Sequence, residues 1–258
     1  SEANERGESE FHGGTGPLSV SDPRHLNPLT QVFLDASQQA GYNINRDFNG
    51  EVQEGFGCYQ TTTRDGQRCS SAKAYLKPVR KRKNLTVITK ATASRIIFEG
   101  DKATSLVYNI EGRGSFCEAA SKEIILCGGS INSPQLLMLS GIGPSAHIQQ
   151  HGIEVIKDLP GVGENLQDHL DICTLQKCTK EITYDTTNQV LAGIQFYLFK
   201  QGPGTSNVAE SGGFLRSKLA EDERPDLQFH FVAAQLDDHG RNKIPGSGYT
   251  LHVCFLRP

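Results

Sequence analysis

The sequence predicts two kinds of fold in tandem, an α/β part through residue 165 and an α+β part with an antiparallel sheet over 166–258. Three observations carry this. First, Glu123 to Cys127 is continuously apolar at its centre and runs into Gly128-Gly129 and then a helical pattern. A strand of that composition is buried on both faces. Second, three strand signals separated by short polar turns precede it, which reads as an antiparallel meander. Third, beyond residue 165 strand-like runs alternate with a single helix, the pattern of an antiparallel sheet with a helix set apart from it.

Taken in order, the first 25 residues are polar and rich in Gly, Ser and Pro, and Gly13-Gly14-Thr15-Gly16-Pro17 has loop chemistry, so an exposed arm or lid is expected. From Pro28, Val32-Phe33, Ala36 and Ala40 recur at helical spacing and Gly41 stands where the helix should stop. A second helix is expected over Ser70 to Leu76, with Ser70 as N-cap and an end before Pro78. The three strand signals are Leu85 to Thr89, Ala93 to Phe98 and Ser105 to Ile110. After Gly128-Gly129, Ser133-Pro134 supplies an N-cap and an N1 proline for a helix over Gln135 to Leu139. A short helix over Pro144 to Gln150 and a loop at Leu159 to Gly163 follow. The last part holds strand-like runs at Ile172 to Leu175, Gly213 to Leu215, Leu227 to Val232 and Thr250 to Leu256, and a helix around Gln189 to Phe199.

Bulk properties exclude several classes. The 258 residues carry a net charge of −3 with 21% charged and 36% hydrophobic residues, as in an ordinary globular protein. Phosphate recognition needs clustered Lys and Arg, and only Arg80-Lys81-Arg82-Lys83 stands out, which reads as a solvated helix end; no nucleic-acid partner is expected. Seven cysteines without close spacing do not form a disulfide framework. They read as reduced structural thiols, Cys127 closing a buried strand, which gives a cytoplasmic expectation. No apolar run approaches the roughly 18 residues of a membrane span, so a soluble chain is expected and membrane association of a longer parent protein is not indicated. The chain opens at Ser1 without Met and stops in a strand-like run at Pro258, which reads as an internal segment of a longer protein.

Gly141-Ile142-Gly143-Pro144-Ser145-Ala146 matches the G-x-G-x-x-A form of a dinucleotide fingerprint, but the segment before it is helical rather than a strand. Gly141 therefore reads as a helix C-cap, and a nicotinamide enzyme is disfavoured. There is no G-x-S-x-G elbow. Asp168-His169 and Asp237-Asp238-His239 place metal-type ligands side by side on alternating faces, so no metal site is assigned.

The run Gly128-Gly129-Ser130-Ile131-Asn132-Ser133-Pro134-Gln135-Leu136-Leu137-Met138-Leu139-Ser140-Gly141-Ile142-Gly143 rises above this background. It closely resembles the second signature of the glucose–methanol–choline (GMC) oxidoreductases. Asp158 to His169 continues the match, and His12 to Leu18, Asp65 to Ser70, Asn84 to Val87 and Glu210 to Phe214 are similar to the same family, which covers nearly the whole chain. The resemblance implies part of an FAD-binding domain over 1–165 and part of an antiparallel-sheet substrate-binding domain over 166–258. It also implies an FAD-dependent enzyme taking hydride from an alcohol carbon to flavin N5, with a small alcohol as substrate. The family's phosphate-binding glycine turn would precede Ser1 and its catalytic histidine would follow Pro258. None of the eight histidines stands in that motif, so no catalytic residue is assigned and this segment alone is expected to be inactive.

The resemblance further implies a backbone contact to adenine at Ala93, a close approach of the chain to the adenosine part of FAD at Gly128 and Gly129, and a substrate-side carboxylate at Glu210. For each glycine a tight turn is an equal reading, and for Glu210 a solvated surface group. Pro225 to Phe231 and Leu236 to Arg241 look more like the branch oxidising aliphatic alcohols, with choline dehydrogenase as the alternative. A non-catalytic binding module is a further alternative, distinguished by whether the chain ends in a loop or in a strand.

Overall fold

The computed structural model describes residues 1–237 and 241–257. Asp238, His239 and Gly240, and the strand-like stop at Pro258, lie outside the described residues. The chain forms two compact units, one from Ser1–Arg82 with His169–Pro258 and one from Lys83–Asp168. This departs from the expected partition 1–165 and 166–258. The later break is nearly where it was expected, but the first 82 residues belong with the sheet that follows residue 168. The reason is strand Gly55–Cys58, which completes that sheet.

The sheet of the first unit has the strand order Asp171–Lys177, Gly248–Phe255, Leu227–Val232, Ser211–Leu215, Gly55–Cys58, every neighbour antiparallel. Helix Pro28–Gln39 starts with proline at its first turn and with Asn27 Oδ1 accepting from Leu29 N at 3.0 Å. Phe33 on this helix stacks on Phe231 (4.6 Å, 10°) and meets the edge of Phe56, while Phe48 packs on Phe214, so an aromatic core joins helix and sheet. The buried helix residues are Thr30, Leu34 and Ser37, whereas Val32 is 57% exposed. Of the apolar positions read from the sequence, Phe33 reaches the core, whereas Val32, Ala36 and Ala40 are exposed. Thr30 and Ser37 tolerate burial because each hydroxyl is bonded, to Glu210 and to the Phe33 carbonyl.

The second unit holds a three-stranded antiparallel meander, Ala91–Glu99, Lys102–Ile110 and Gly114–Ala119. Two expected strands do not form. Leu85 to Thr89 and Glu123 to Cys127 carry no strand pairing among the described residues, and Ile125 is 73% exposed with Cys127 exposed as well. Apolar β-branched composition makes a strand only where a neighbour completes the ladder, and neither segment has one among the described residues. The third meander strand is instead 114–119, whose residues are all exposed. Helix Gly129–Leu139 starts earlier than expected and carries Pro134 inside it, with Ser133 Oγ reaching back to accept from Gly128 N at 3.0 Å. Gly141 follows with φ +86°, the C-terminal glycine the sequence called for. The second helix of the chain runs through Pro78 rather than ending before it: a π-helical turn at Ala72–Leu76 passes into Lys77–Val79 with helical backbone throughout.

Candidate functional site

In the second unit, strand Ala91–Glu99 is an edge of the meander, so part of its backbone N–H and C=O groups point away from its one partner. A register shift between Ala93 and Arg95 bulges Ser94 out of the ladder, and such bulges re-aim neighbouring groups. Farther along the same edge, Ile96 N donates to Ser140 Oγ at 2.8 Å while that hydroxyl donates to the Leu136 carbonyl at 2.6 Å. Ser140, 3% exposed, thus ties the C-terminal end of helix Gly129–Leu139 to the strand edge. Beside that tie the edge is open, and a groove of about 470 Å³ lies between Ala91–Ala93, the run 124–128 and the helix. This volume is within the ~300–1,000 Å³ of small-molecule sites.

Two of the three residues assigned to a cofactor, Ala93 and Gly128, line this one groove; Gly129 does not. At Gly128 an added Cβ would lie 3.2 Å from Asn132 Cβ and from Ser133 N and Oγ, so the position is closely packed against the helix start. At Gly129 the demand is conformational, since φ is +81° and nothing lies within 4 Å of a Cβ there. Leu106, Ile124, Leu126, Leu136 and Leu139 line the groove together with Thr92, Asn132, Ser133 and Gln135. A slot with aliphatic and polar lining beside an open strand edge fits a flat heteroaromatic ring with hydrogen-bonding edges, such as adenine. The residues present therefore suit the adenosine end of FAD.

Glu210, in the first unit, is not a solvated surface group: it is 1% exposed. Its carboxylate accepts from Asn27 N (2.6 Å), Thr30 Oγ1 (2.7 Å), Ser206 Oγ (2.6 Å) and the Tyr184 hydroxyl. It thereby sits at the N-terminus of helix Pro28–Gln39, where the backbone favours an anion. Burial, together with the carboxylate alongside, pushes the Tyr184 hydroxyl well above its ordinary range. Four accepted bonds fill the lone-pair sites of a carboxylate, so Glu210 is engaged wholly with its own domain.

The N-terminal arm is not an exposed lid. Strands Glu2–Asn4 and Leu18–Val20 pair in parallel, Asn4 is 5% exposed, and its amide bonds Gln60. His12 is clamped between Glu2 and Asp47, 2.9 Å from each carboxylate. Hydrogen bonds to Asp47 and then to Glu2 raise the imidazole pKa. On the sheet, Asp171 accepts from Cys254 (3.4 Å) and contacts His252 Nδ1 (2.7 Å), but burial and then Asp171 push the Cys254 thiol up to about 11. That is a poor nucleophile. All seven cysteines are free, and no group of three or more His, Cys, Asp and Glu is arranged for a metal ion among the described residues. Ser140, Thr30, Tyr184 and Ser206 escaped the sequence reading; small polar residues carry no periodic signal, and only the position of Ser140 at the end of the apolar run 136–139 hinted at a cap.

A family model described as GMC oxidoreductase matches residues 3–171. The chain is 46% identical over 256 residues to an "Alcohol dehydrogenase [acceptor]" of Pseudomonas putida, covering 97% of this chain and 46% of that protein. It is 44% identical over 260 residues to "Choline dehydrogenase, mitochondrial" of Homo sapiens, covering 99% of this chain and 43% of that protein. The chain thus spans about half the length of the curated relatives it matches. Among solved structures, pyridoxine 4-oxidase from Mesorbium loti superposes with a TM-score of 0.83 at 28% identity, covering 100% of this chain and 47% of that one. The signature run beginning at Gly128, the groove it borders and these matches agree: the chain belongs to the GMC oxidoreductase family.

Proposed function

We propose that this chain forms the adenosine-binding and substrate-side parts of an FAD-dependent enzyme that oxidises the CH–OH group of a primary alcohol. The observation that carries this is the groove in which Ala93 on the open strand edge and Gly128 at the start of the signature helix meet. Bound flavin supplies the redox chemistry by accepting hydride at N5. The chain's own contribution is binding and orientation. Backbone groups of 91–93 face the ring edges, the aliphatic walls at Leu106, Leu136 and Leu139 exclude water, and Ser140 fixes the strand against the helix. Glu210 acts on the substrate side as a positioning residue, holding the start of helix Pro28–Gln39 and Tyr184 in place rather than meeting a substrate cation directly.

Choline oxidation is the second reading, favoured by the 44% identity to the human choline dehydrogenase. Absorbance of the purified, flavin-loaded full-length protein under anaerobic conditions separates the two. A primary aliphatic alcohol is expected to bleach the flavin band near its visible maximum, whereas bleaching by choline alone selects the second reading. Protein that neither carries nor takes up FAD contradicts both.

A further inference from the structure

Helix Ser145–Gln150 of the second unit is short but held at three points. Asp158 Oδ1 accepts from Ser145 N at 2.9 Å, Gly152 turns the chain at φ +68° with its N–H on the Gln149 carbonyl, and Ile148 is 1% exposed. Met138 Cγ and Ile148 Cδ1 stand 2.8 and 3.3 Å from where a Cβ on Gly143 would be, so this turn and the end of helix Gly129–Leu139 close on the same glycine. On its exposed side the helix carries His147, and His151 follows four residues on at its C-terminal boundary. That spacing brings two side chains to one face of a helix. The two rings stand 4.8 Å apart, centre to centre, and are inclined at 76°. No hydrogen bond or ion pair engages either ring among the described residues, so nitrogens of both are open to a ligand. Neither histidine borders the groove at Ala93 and Gly128.

We propose that His147 and His151 chelate one divalent metal ion of the late first transition row. Neutral imidazole is the commonest metal ligand in proteins, and a pair at i and i+4 is how a helix presents two of them to one ion. The separation fits this use. An ion ~2.0–2.1 Å from an imidazole nitrogen lies ~3.2 Å from that ring's centre, so two rings bound at ~90–110° to each other have centres ~4.5–5.2 Å apart. The observed 4.8 Å falls inside that window. Imidazole suits nickel, copper and zinc ions, whereas magnesium and calcium demand oxygen ligands. The described residues bring no third His, Cys, Asp or Glu to the pair, so water fills the other positions. Because the rings meet only while the turn is helical, a bound ion clips in place the turn that Ile148 anchors.

The probe is Ni²⁺, since the seven free thiols would compete for Zn²⁺. Added to the isotopically labelled full chain, this paramagnetic ion should broaden the amide signals of 145–152 before any others, and a chelator should restore them. His147→Gln and His151→Gln, both at exposed positions, should each weaken binding by about tenfold or more, because one imidazole is left where two acted together. His151→Gln combined with Gln149→His keeps the number of histidines but turns the second ring to another face of the helix, and it should not restore binding. His25→Gln, in the first unit, should leave binding unchanged. Broadening centred elsewhere, broadening of 145–152 that survives His147→Gln, recovery in the variant with Gln149→His, or no broadening up to roughly 1 mM Ni²⁺ overturns the proposal.

Discussion

Glu210 and Ile125 are placed against the usual preference of their residue types: the carboxylate is 1% exposed and the isoleucine 73% exposed. In the sheet-bearing unit, donors from Asn27, Thr30, Tyr184 and Ser206 converge on one anion, so its burial is compensated. In the meander unit, the apolar run around Ile125 has no strand paired with it among the described residues and instead forms one wall of the groove. Partners, more than residue type, decide burial in both places. The first region is a closed structural node and the second an open groove wall.

The sharpest way to break this contrast is at the node. Glu210→Ala leaves four donors unpaired and is expected to cost about 3–5 kcal/mol, with Glu210→Gln costing less, since it keeps an acceptor oxygen. Urea denaturation followed by near-ultraviolet circular dichroism, which reports the aromatic core on Phe33, Phe56 and Phe231, checks this. A loss below about 1 kcal/mol would return Glu210 to a role outside the node. On the open side, Ser140→Ala orphans the Ile96 amide and is expected to cost about 1–2 kcal/mol. Its specific sign is faster hydrogen exchange at Ile96, with the Glu210 node unchanged.

The smallest effect concerns the N-terminal arm. The His12 pKa is raised above 6.5 by Asp47 and Glu2, so its contribution is complete below that value and is lost as pH rises through the folded-state pKa. Burial opposes ionisation of Asp47, but the bonds from His12 and Asn49 N leave its pKa below 3.8. That contribution is present above 3.8 and disappears as pH falls through the lowered value. The arm should therefore be held most firmly between about pH 4 and 6.5 and should loosen toward pH 8. Limited proteolysis within residues 1–16 at pH 6 and pH 8 reads this out, and His12→Gln should flatten the difference.

The same principle explains what was legible in the sequence. Runs that became strands of the first unit, Leu227 to Val232 and Thr250 to Leu256 among them, pair with one another within the chain, and their pattern was enough. Gly141 was legible because a positive φ after a helix has a chemical signature. Glu123 to Cys127 was misread because composition reports what a strand needs and not whether a neighbour is there. Gly55–Cys58 was missed for the opposite reason: Gly-Phe-Gly-Cys reads as a poor strand but fits beside Ser211–Leu215. In the site, Ala93 and Gly128 were identifiable only through the family resemblance. Their meeting in one groove, the bulge at Ser94 and the Ser140 tie depend on pairing register and packing, which one-dimensional patterns do not contain.

In the function proposed, the open strand edge and the 124–128 wall hold the adenosine end of FAD. Amide chemical shifts of the isotopically labelled chain, titrated with ADP, test it most directly. Perturbations concentrated at 91–94, 126–129 and 136–140 are expected, with their loss in Ala93→Trp, whose side chain would fill the groove. Perturbations confined to the first unit, or a pattern unchanged in Ala93→Trp, would contradict it.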